Sequence, residues 1–188
     1  MRVIAGEKRG TKLATINGDW IRPTSDKVKG AIFNSIQFNL MKTNVFVDLF
    51  AGSGAIGIEA ISRGVPKVYF FDISKESIAI VEKNLNITNL KKKATVKNYS
   101  AEKGINYLCQ NSVKCDIIYM DPPYKNGSDL ILIVEKIFEQ EILNSDGIIM
   151  MEHEKSVIMP LTIKSFTKIK EKKYGSTIIS FYSWENNN

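Results

Sequence analysis

The chain has 188 residues, 44% of them hydrophobic, with 26 Lys and Arg against 20 Asp and Glu and a formal net charge of +6. That length suits a single domain, or one domain with a small extension, and the apolar fraction suffices for a core. No run approaches the roughly 20 apolar residues that span a bilayer, the charged start (Arg2, Glu7, Lys8, Arg9) is unlike a signal peptide, and Cys109 and Cys115 form no Cys-x-x-Cys pair. The expectation is a cytoplasmic enzyme with free thiols and no structural metal. The lone His153, between Glu152 and Glu154, has no second histidine or cysteine motif to join it as a metal ligand.

Residues 1–24 read as a basic extension, hairpin-like from Arg2 to Ile16, residues 25–185 as one α/β domain, and residues 186–188 as a frayed tail. Val28, Ile32, Ile36 and Leu40 recur at helical spacing and predict a helix from Ser25 to Leu40. From Val45 strands and helices alternate. The pattern predicts a strand to Phe50, helix to Arg63, strand from Lys67 to Asp72, helix from Lys75 to Asn86 and strand near Thr95. A helix from Ala101 to Cys109, a strand ending at Met120, a helix from Leu130 to Phe138 and a strand from Gly147 to Met151 follow. Such alternation implies a mainly parallel sheet. The last two runs, Ile163 to Lys170 and Ser176 to Trp184, flank Lys173-Tyr174-Gly175 and predict a hairpin.

Two loops carry the chemistry. After the first strand, Gly52, Gly54 and Gly57 match G-x-G-x-x-G: a tight turn, a close backbone approach to a ligand, and close packing of helix on sheet. Asp72, twenty positions after Gly52 at the end of the next strand, is placed to hold two ribose hydroxyls. This fingerprint fits NAD, FAD or S-adenosylmethionine. Asp48, inside the first strand, favours the last, because a carboxylate there would repel a pyrophosphate and attract a cationic amino-acid moiety. The second loop is Asp121-Pro122-Pro123-Tyr124. Asp121 and the Pro122 carbonyl can accept the two N–H bonds of a planar amine, Tyr124 can stack on its ring, and the prolines restrict the backbone that presents them.

Met1-Arg2-Val3-Ile4-Ala5-Gly6, Arg9-Gly10, Arg22-Pro23-Thr24, Asp48 to Gly54, Glu59-Ala60, Ser62-Arg63-Gly64, Asp121 to Tyr124 and Tyr174-Gly175-Ser176-Thr177 together resemble the bacterial RsmD-like methyltransferases over nearly the whole chain. The resemblance implies the class I S-adenosylmethionine-dependent methyltransferase fold, Rossmann-like, with a mainly parallel seven-stranded sheet and an antiparallel C-terminal hairpin. It implies methyl transfer to the exocyclic N2 of one guanine in small-subunit ribosomal RNA, with no metal. Asp121, Pro122 and Tyr124 are then the expected catalytic residues, and Asp48, Phe50, Gly52, Gly54, Asp72, Ile73 and Ser100 the expected cofactor contacts. Two positions depart from the family: Gly30 stands where glutamate is usual, and Asn98-Tyr99-Ser100 where many relatives of the wider superfamily carry an aspartate.

Through Gly30 seven basic side chains face three acidic ones, a surplus of +4 ahead of the α/β domain. Arg2, Lys8, Arg9 and Lys12 are accordingly expected RNA contacts, whereas contact of Arg22 and Thr24 with the RNA or the cofactor is implied only by the resemblance and by their position before the fold. Lys164, Lys168, Lys170 and Lys172 fall on alternate positions of the late strand and are expected to share a face with Phe166. The expected partner is ribosomal RNA, naked or in an assembling particle, and nothing demands more than a monomer. Three alternatives share parts of this pattern: a DNA adenine-N6 or cytosine-N4 methyltransferase, a protein glutamine methyltransferase, and a non-catalytic RNA-binding assembly factor.

Overall fold

The computed structural model describes residues 1–15, 26–123 and 127–185. Arg22, Thr24, Tyr124 and the 186–188 tail lie outside the described residues, as do Ile16 and Ser25 at the ends of two predicted elements. Eight strands form one sheet: β1 (Val45–Asp48), β2 (Lys67–Phe71), β3 (Ala94–Lys97), β4 (Cys115–Met120), β5 (Leu143–Glu154), β6 (Thr162–Ile163), β7 (Phe166–Tyr174) and β8 (Thr177–Trp184), in the order β3-β2-β1-β4-β5-β8-β7-β6. β1 to β5 pair in parallel and β8, β7 and β6 antiparallel. The chain winds outward from β1 to β3, then restarts on the other side of β1 with β4. The carboxyl ends of β1 and β4 therefore flank the switch point where open α/β sheets bind ligands.

Helices α1 (Asp26–Ser35), α2 (Gln37–Leu40), α3 (Ala55–Ser62), α4 (Lys75–Thr88), α5 (Ala101–Gln110) and α6 (Gly127–Glu139) complete the architecture. The period-2 alternation of the strands sorts their side chains between two cores. Phe46, Phe70, Tyr119, Met150 and Phe181 join Ile32, Ile58, Val81 and Leu85 of α1, α3 and α4. Val47, Phe71, Met120, Met151 and Tyr182 join Ile105 and Leu108 of α5 and Val134 and Ile137 of α6 on the other face. Among the described residues no helix is long and apolar enough to cross a membrane.

Three expectations need correction. The sheet has eight strands rather than seven, because the buried pair Ile163 and Phe166 draws a two-residue strand onto its outer edge. The helix expected to reach Leu40 unbroken is interrupted at Ile36: the Ser35 carbonyl accepts from Lys170 Nζ at 2.7 Å, and the Ile36 N–H reaches back only three residues to Phe33. The four lysines do not share a face. Lys164 sits ahead of β7 with φ 52°, and a bulge between Lys168 and Lys170 flips the alternation. Lys168 pairs with Tyr182 of one core and Lys170 with Phe181 of the other, over whose ring its ammonium sits at 4.5 Å.

Candidate active site

The glycine turn forms as its spacing requires. Gly54, at φ 76°, caps α3, and a Cβ on Gly57 would stand 2.2 Å from the Phe70 ring, so only glycine lets α3 lie this close to β2. Asp72 closes the turn from the neighbouring strand. One carboxylate oxygen accepts from Gly52 N and the other from Ser74 N, both at 2.8 Å. Each oxygen keeps a lone pair for a further donor. Beside it Ile73 projects an apolar side chain that is 77% exposed, while Phe50 is half-buried against the core behind the turn. Ser100 caps α5 by accepting from Lys103 N. The residue that fixes this pocket wall is Asn98, whose Nδ2 donates to the carbonyls of both Asp72 and Ile73 at 2.9 Å.

Asp48 is 1% exposed at the end of β1. Its Oδ2 accepts from Gly57 N at 3.3 Å and its Oδ1 has no hydrogen-bond partner. Burial pushes this carboxyl up to about 7, the backbone N–H groups of Gly57 and Phe50 draw it down in part, and the Asp72 charge adds to the rise. A buried carboxylate with an orphaned oxygen, next to a glycine turn and a second strand-end aspartate, suits a ligand that carries positive charge. It suits a pyrophosphate poorly.

Asp121 follows β4 directly. Register pairs Asp48 with Tyr119 and Met120 with Met151, so Asp121 and Glu152 are the next neighbours along β4 and β5. By alternation Asp48, Tyr119, Asp121 and Glu152 all project to the face of the sheet that carries α3. The Tyr119 hydroxyl donates to Glu152 Oε2 at 2.5 Å. Loss of water raises the Asp121 carboxyl well above the usual carboxylate range, and the Glu152 and Asp48 charges raise it further. Burial also raises Glu152, partly offset by the Tyr119 bond. Pro122 is buried, and no described residue donates to its carbonyl. The two expected half-sites thus open side by side on one face. Tyr124 falls outside the described residues.

Comparison with known proteins places this geometry. The family described as conserved hypothetical protein 95 matches residues 1–183. The chain belongs to this family. It is 37% identical to the Bacillus subtilis (strain 168) protein YlbH over 97% of this chain and 98% of that one. It is 33% identical to the Haemophilus influenzae protein named "Ribosomal RNA small subunit methyltransferase D", over 99% of this chain and 94% of that one. The solved structure of yhhF from Escherichia coli superposes with a TM-score of 0.83 at 28% identity, covering 98% of each chain. The expected RsmD-like resemblance and class I fold both hold.

In this member of the family the N-terminal arm is strapped along α3, which explains motif residues that carry no site chemistry. Arg2 and Lys12 bridge the arm's hairpin, and Val3 and Leu13 enter the core. Glu59, fully buried, accepts from Ile4 N at 2.8 Å and Ala5 N at 2.9 Å and pairs with Arg63 at 2.8 Å and the buried Lys29 at 3.6 Å. Ser62 binds Ala5 O and Lys8 N. At the other end of α3, Asn84 joins Ala14 O to Ser53 O of the glycine turn at 2.9 and 2.8 Å. The strap sets the distances of the expected RNA contacts: Lys8 and Arg9 lie at the end of α3 remote from the turn, about 12 Å along an eight-residue helix, and Arg2 is paired with Asp26.

Sequence reasoning missed Asn98, Asn84, Tyr119 and Glu152. A polar residue closing an apolar strand was visible for Glu152, in Ile148-Ile149-Met150-Met151-Glu152. The two asparagines act through backbone carbonyls that only the fold brings near. His153 is a core histidine, its ring nitrogens set against Glu154 O and Ser180 Oγ at 3.0 and 2.9 Å. Cys115 is buried, its thiol pushed up to about 12 by burial, and Cys109 is exposed.

Proposed function

We propose that this protein transfers the methyl group of S-adenosylmethionine to the exocyclic N2 of one guanine in small-subunit ribosomal RNA. The observation that carries the reading is the placement of Asp48 and Asp121 on adjacent strand ends and one sheet face, a carboxylate with an orphaned oxygen beside an amine-gripping loop. Relatives of the chain from Haemophilus influenzae and Escherichia coli are named for methylating small-subunit ribosomal RNA.

The residues present fit the cofactor. Asp72 would accept its ribose hydroxyls, Ile73 would pack on its adenine, the backbone of Gly52 and Gly54 would admit its amino-acid end, and Asp48 would offset its positive charge. The cofactor supplies a methyl group on a sulfonium sulfur. The chain supplies an oriented nucleophile. Guanine N2 is a poor nucleophile while its lone pair is delocalised into the ring, and acceptors on both N–H bonds, Asp121 and the Pro122 carbonyl, favour the pyramidal geometry that frees it. Holding the amine against the cofactor's methyl group would lower the barrier further. Methylation leaves N2 with one proton too many. Asp121, held basic by its surroundings, takes the surplus N2 proton. The target guanine leaves its stack to reach this pocket, with Tyr124 as its platform. Lys8, Arg9 and Lys12, and to a lesser degree the paired Arg2, supply phosphate contacts on the arm.

Mass-spectrometric mapping of modified nucleosides in small-subunit RNA from cells lacking this protein tests the reading. One N2-methylguanosine disappears. An unchanged RNA profile, or loss of a modified base from DNA instead, overturns it.

A further inference from the structure

The methyl-transfer chemistry described above uses Asp121 and Pro122 and leaves Glu152 without a task. Glu152 is nevertheless held in place. Tyr119 Oη fixes its Oε2 at 2.5 Å, and no described residue donates to its Oε1. It stands beside Asp121 on the neighbouring parallel strand, about 4.8 Å away in backbone spacing, and on the same face. Its strand neighbour on the other side contributes only apolar Ile179. Register also brings Asp48 opposite Tyr119, and the buried Asp48 Oδ1 has no hydrogen-bond partner, an independent sign that this face is built to receive donors from a ligand. A half-buried carboxylate clamped through one oxygen serves no packing purpose that glutamine or leucine would not serve at lower cost.

Guanine presents two adjacent kinds of donor on its Watson–Crick edge, the N2 amine and N1–H. Adenine and cytosine present a bare lone pair where guanine has N1–H. From the side-by-side placement of Asp121 and the Tyr119-clamped Glu152 we infer that Glu152 is the residue that selects guanine, accepting N1–H on Oε1 while Asp121 and Pro122 hold N2. An acceptor-only oxygen at that position rejects any base whose N1 is also an acceptor. The inference rests on the guanine-N2 reading and adds the determinant of base choice. It also gives Tyr119 a positioning role: with Oε2 committed to the hydroxyl, only Oε1 faces the base.

The test uses small-subunit RNA carrying either guanine or 2-aminopurine at the methylated position, installed by ligation. 2-Aminopurine keeps the amine at position 2 but offers a lone pair at N1. The wild-type protein should prefer guanine by on the order of 100-fold in kcat/KM. Glu152→Gln keeps the shape, but with its oxygen on the Tyr119 hydroxyl it turns an N–H donor toward N1. The preference should fall to within about threefold of unity or invert, with S-adenosylmethionine affinity by calorimetry unchanged. Equal loss on both substrates, leaving the ratio intact, makes Glu152 a structural residue and overturns the inference. A wild-type protein that methylates both bases alike overturns it while the guanine-N2 reading stands. Absence of N2 methylation on the guanine RNA removes both. Should Glu152→Gln not fold, Tyr119→Phe carries the test: the preference drops about 3- to 10-fold as the carboxylate loses its orientation, and an unchanged ratio counts against the assignment.

Discussion

The end of β2 and the ends of β1, β4 and β5 both present carboxylates on one face of the sheet, but they treat them in opposite ways. Asp72 has each oxygen on a backbone N–H, from Gly52 and Ser74. It is already satisfied, and it shapes the loop around the ligand. Asp48 keeps an orphaned oxygen, and the carboxyls of Asp48, Asp121 and Glu152 are all raised by burial. Those three carboxylates repel one another until something positive or rich in N–H donors comes between them. On the proposed reading, one region would hold its ligand by pre-built geometry, and the other holds unrelieved charge that a ligand would relieve. Side chains in the second should therefore cost stability and contribute function.

The largest effect sharpens that contrast. Asp121→Asn should lower kcat by about 1,000-fold, read by transfer of labelled methyl to RNA, and leave S-adenosylmethionine affinity within about threefold. Robust turnover in the variant would remove Asp121 from the chemistry. Asp48→Asn comes next, weakening S-adenosylmethionine by about 30- to 100-fold while stabilising the unliganded protein. The direction follows from the shift. The Asp48 carboxyl titrates near 7 when folded and near 3.8 in its ordinary state, so the folded form binds more protons across that interval. Stability is full below the ordinary value and is lost as pH climbs through about 4 to 7, by at most about 4 kcal/mol. Asp48→Asn should flatten that decline in thermal melts and raise Tm at pH 8. A bound cation favours ionised Asp48, so cofactor affinity should rise with pH up to about 7, with proton release seen by calorimetry in buffers of different ionisation enthalpy. Asp72, Asp121 and Glu152 share this field, and the difference between wild type and Asp48→Asn isolates the Asp48 part.

Asp72→Ala tests the satisfied region. Affinity for S-adenosylmethionine should fall about tenfold without the stability gain. A gain in Tm there, or a larger loss of affinity than at Asp48, would break the comparison. The smallest effect concerns the arm. Replacing Arg2, Lys8, Arg9 and Lys12 with glutamine should reduce the salt slope of RNA binding by up to about 3, with Arg2 contributing least because it is paired with Asp26. An unaltered slope would leave the arm a packing element only.

Local pattern made the fold legible where one principle governs one stretch. Glycine spacing placed the turn at Gly52 to Gly57, and apolar periodicity placed α3 to α6 within a few residues. What escaped was set by partners distant in sequence. Lys170 ends a helix 135 residues away by binding Ser35 O. The β7 bulge reverses which lysines share a face, and no period-2 count reveals it. Asp48, Asp72 and Asp121 were legible because each closes an apolar strand beside a distinctive loop. Asn98 and Asn84 were not, because an asparagine donating to carbonyls has no motif. Glu152 becomes informative only when register sets it beside Asp121.

The most direct test is transfer from methyl-labelled S-adenosylmethionine, by purified wild-type protein and by Asp121→Asn, to small-subunit RNA taken from cells lacking the protein, followed by digestion to nucleosides. One molar equivalent or less of label in N2-methylguanosine with wild type, and none above background with the variant, is the expected result. Label in another nucleoside, or equal transfer by both proteins, would contradict the assignment of Asp121 and its neighbours as a guanine-amine site.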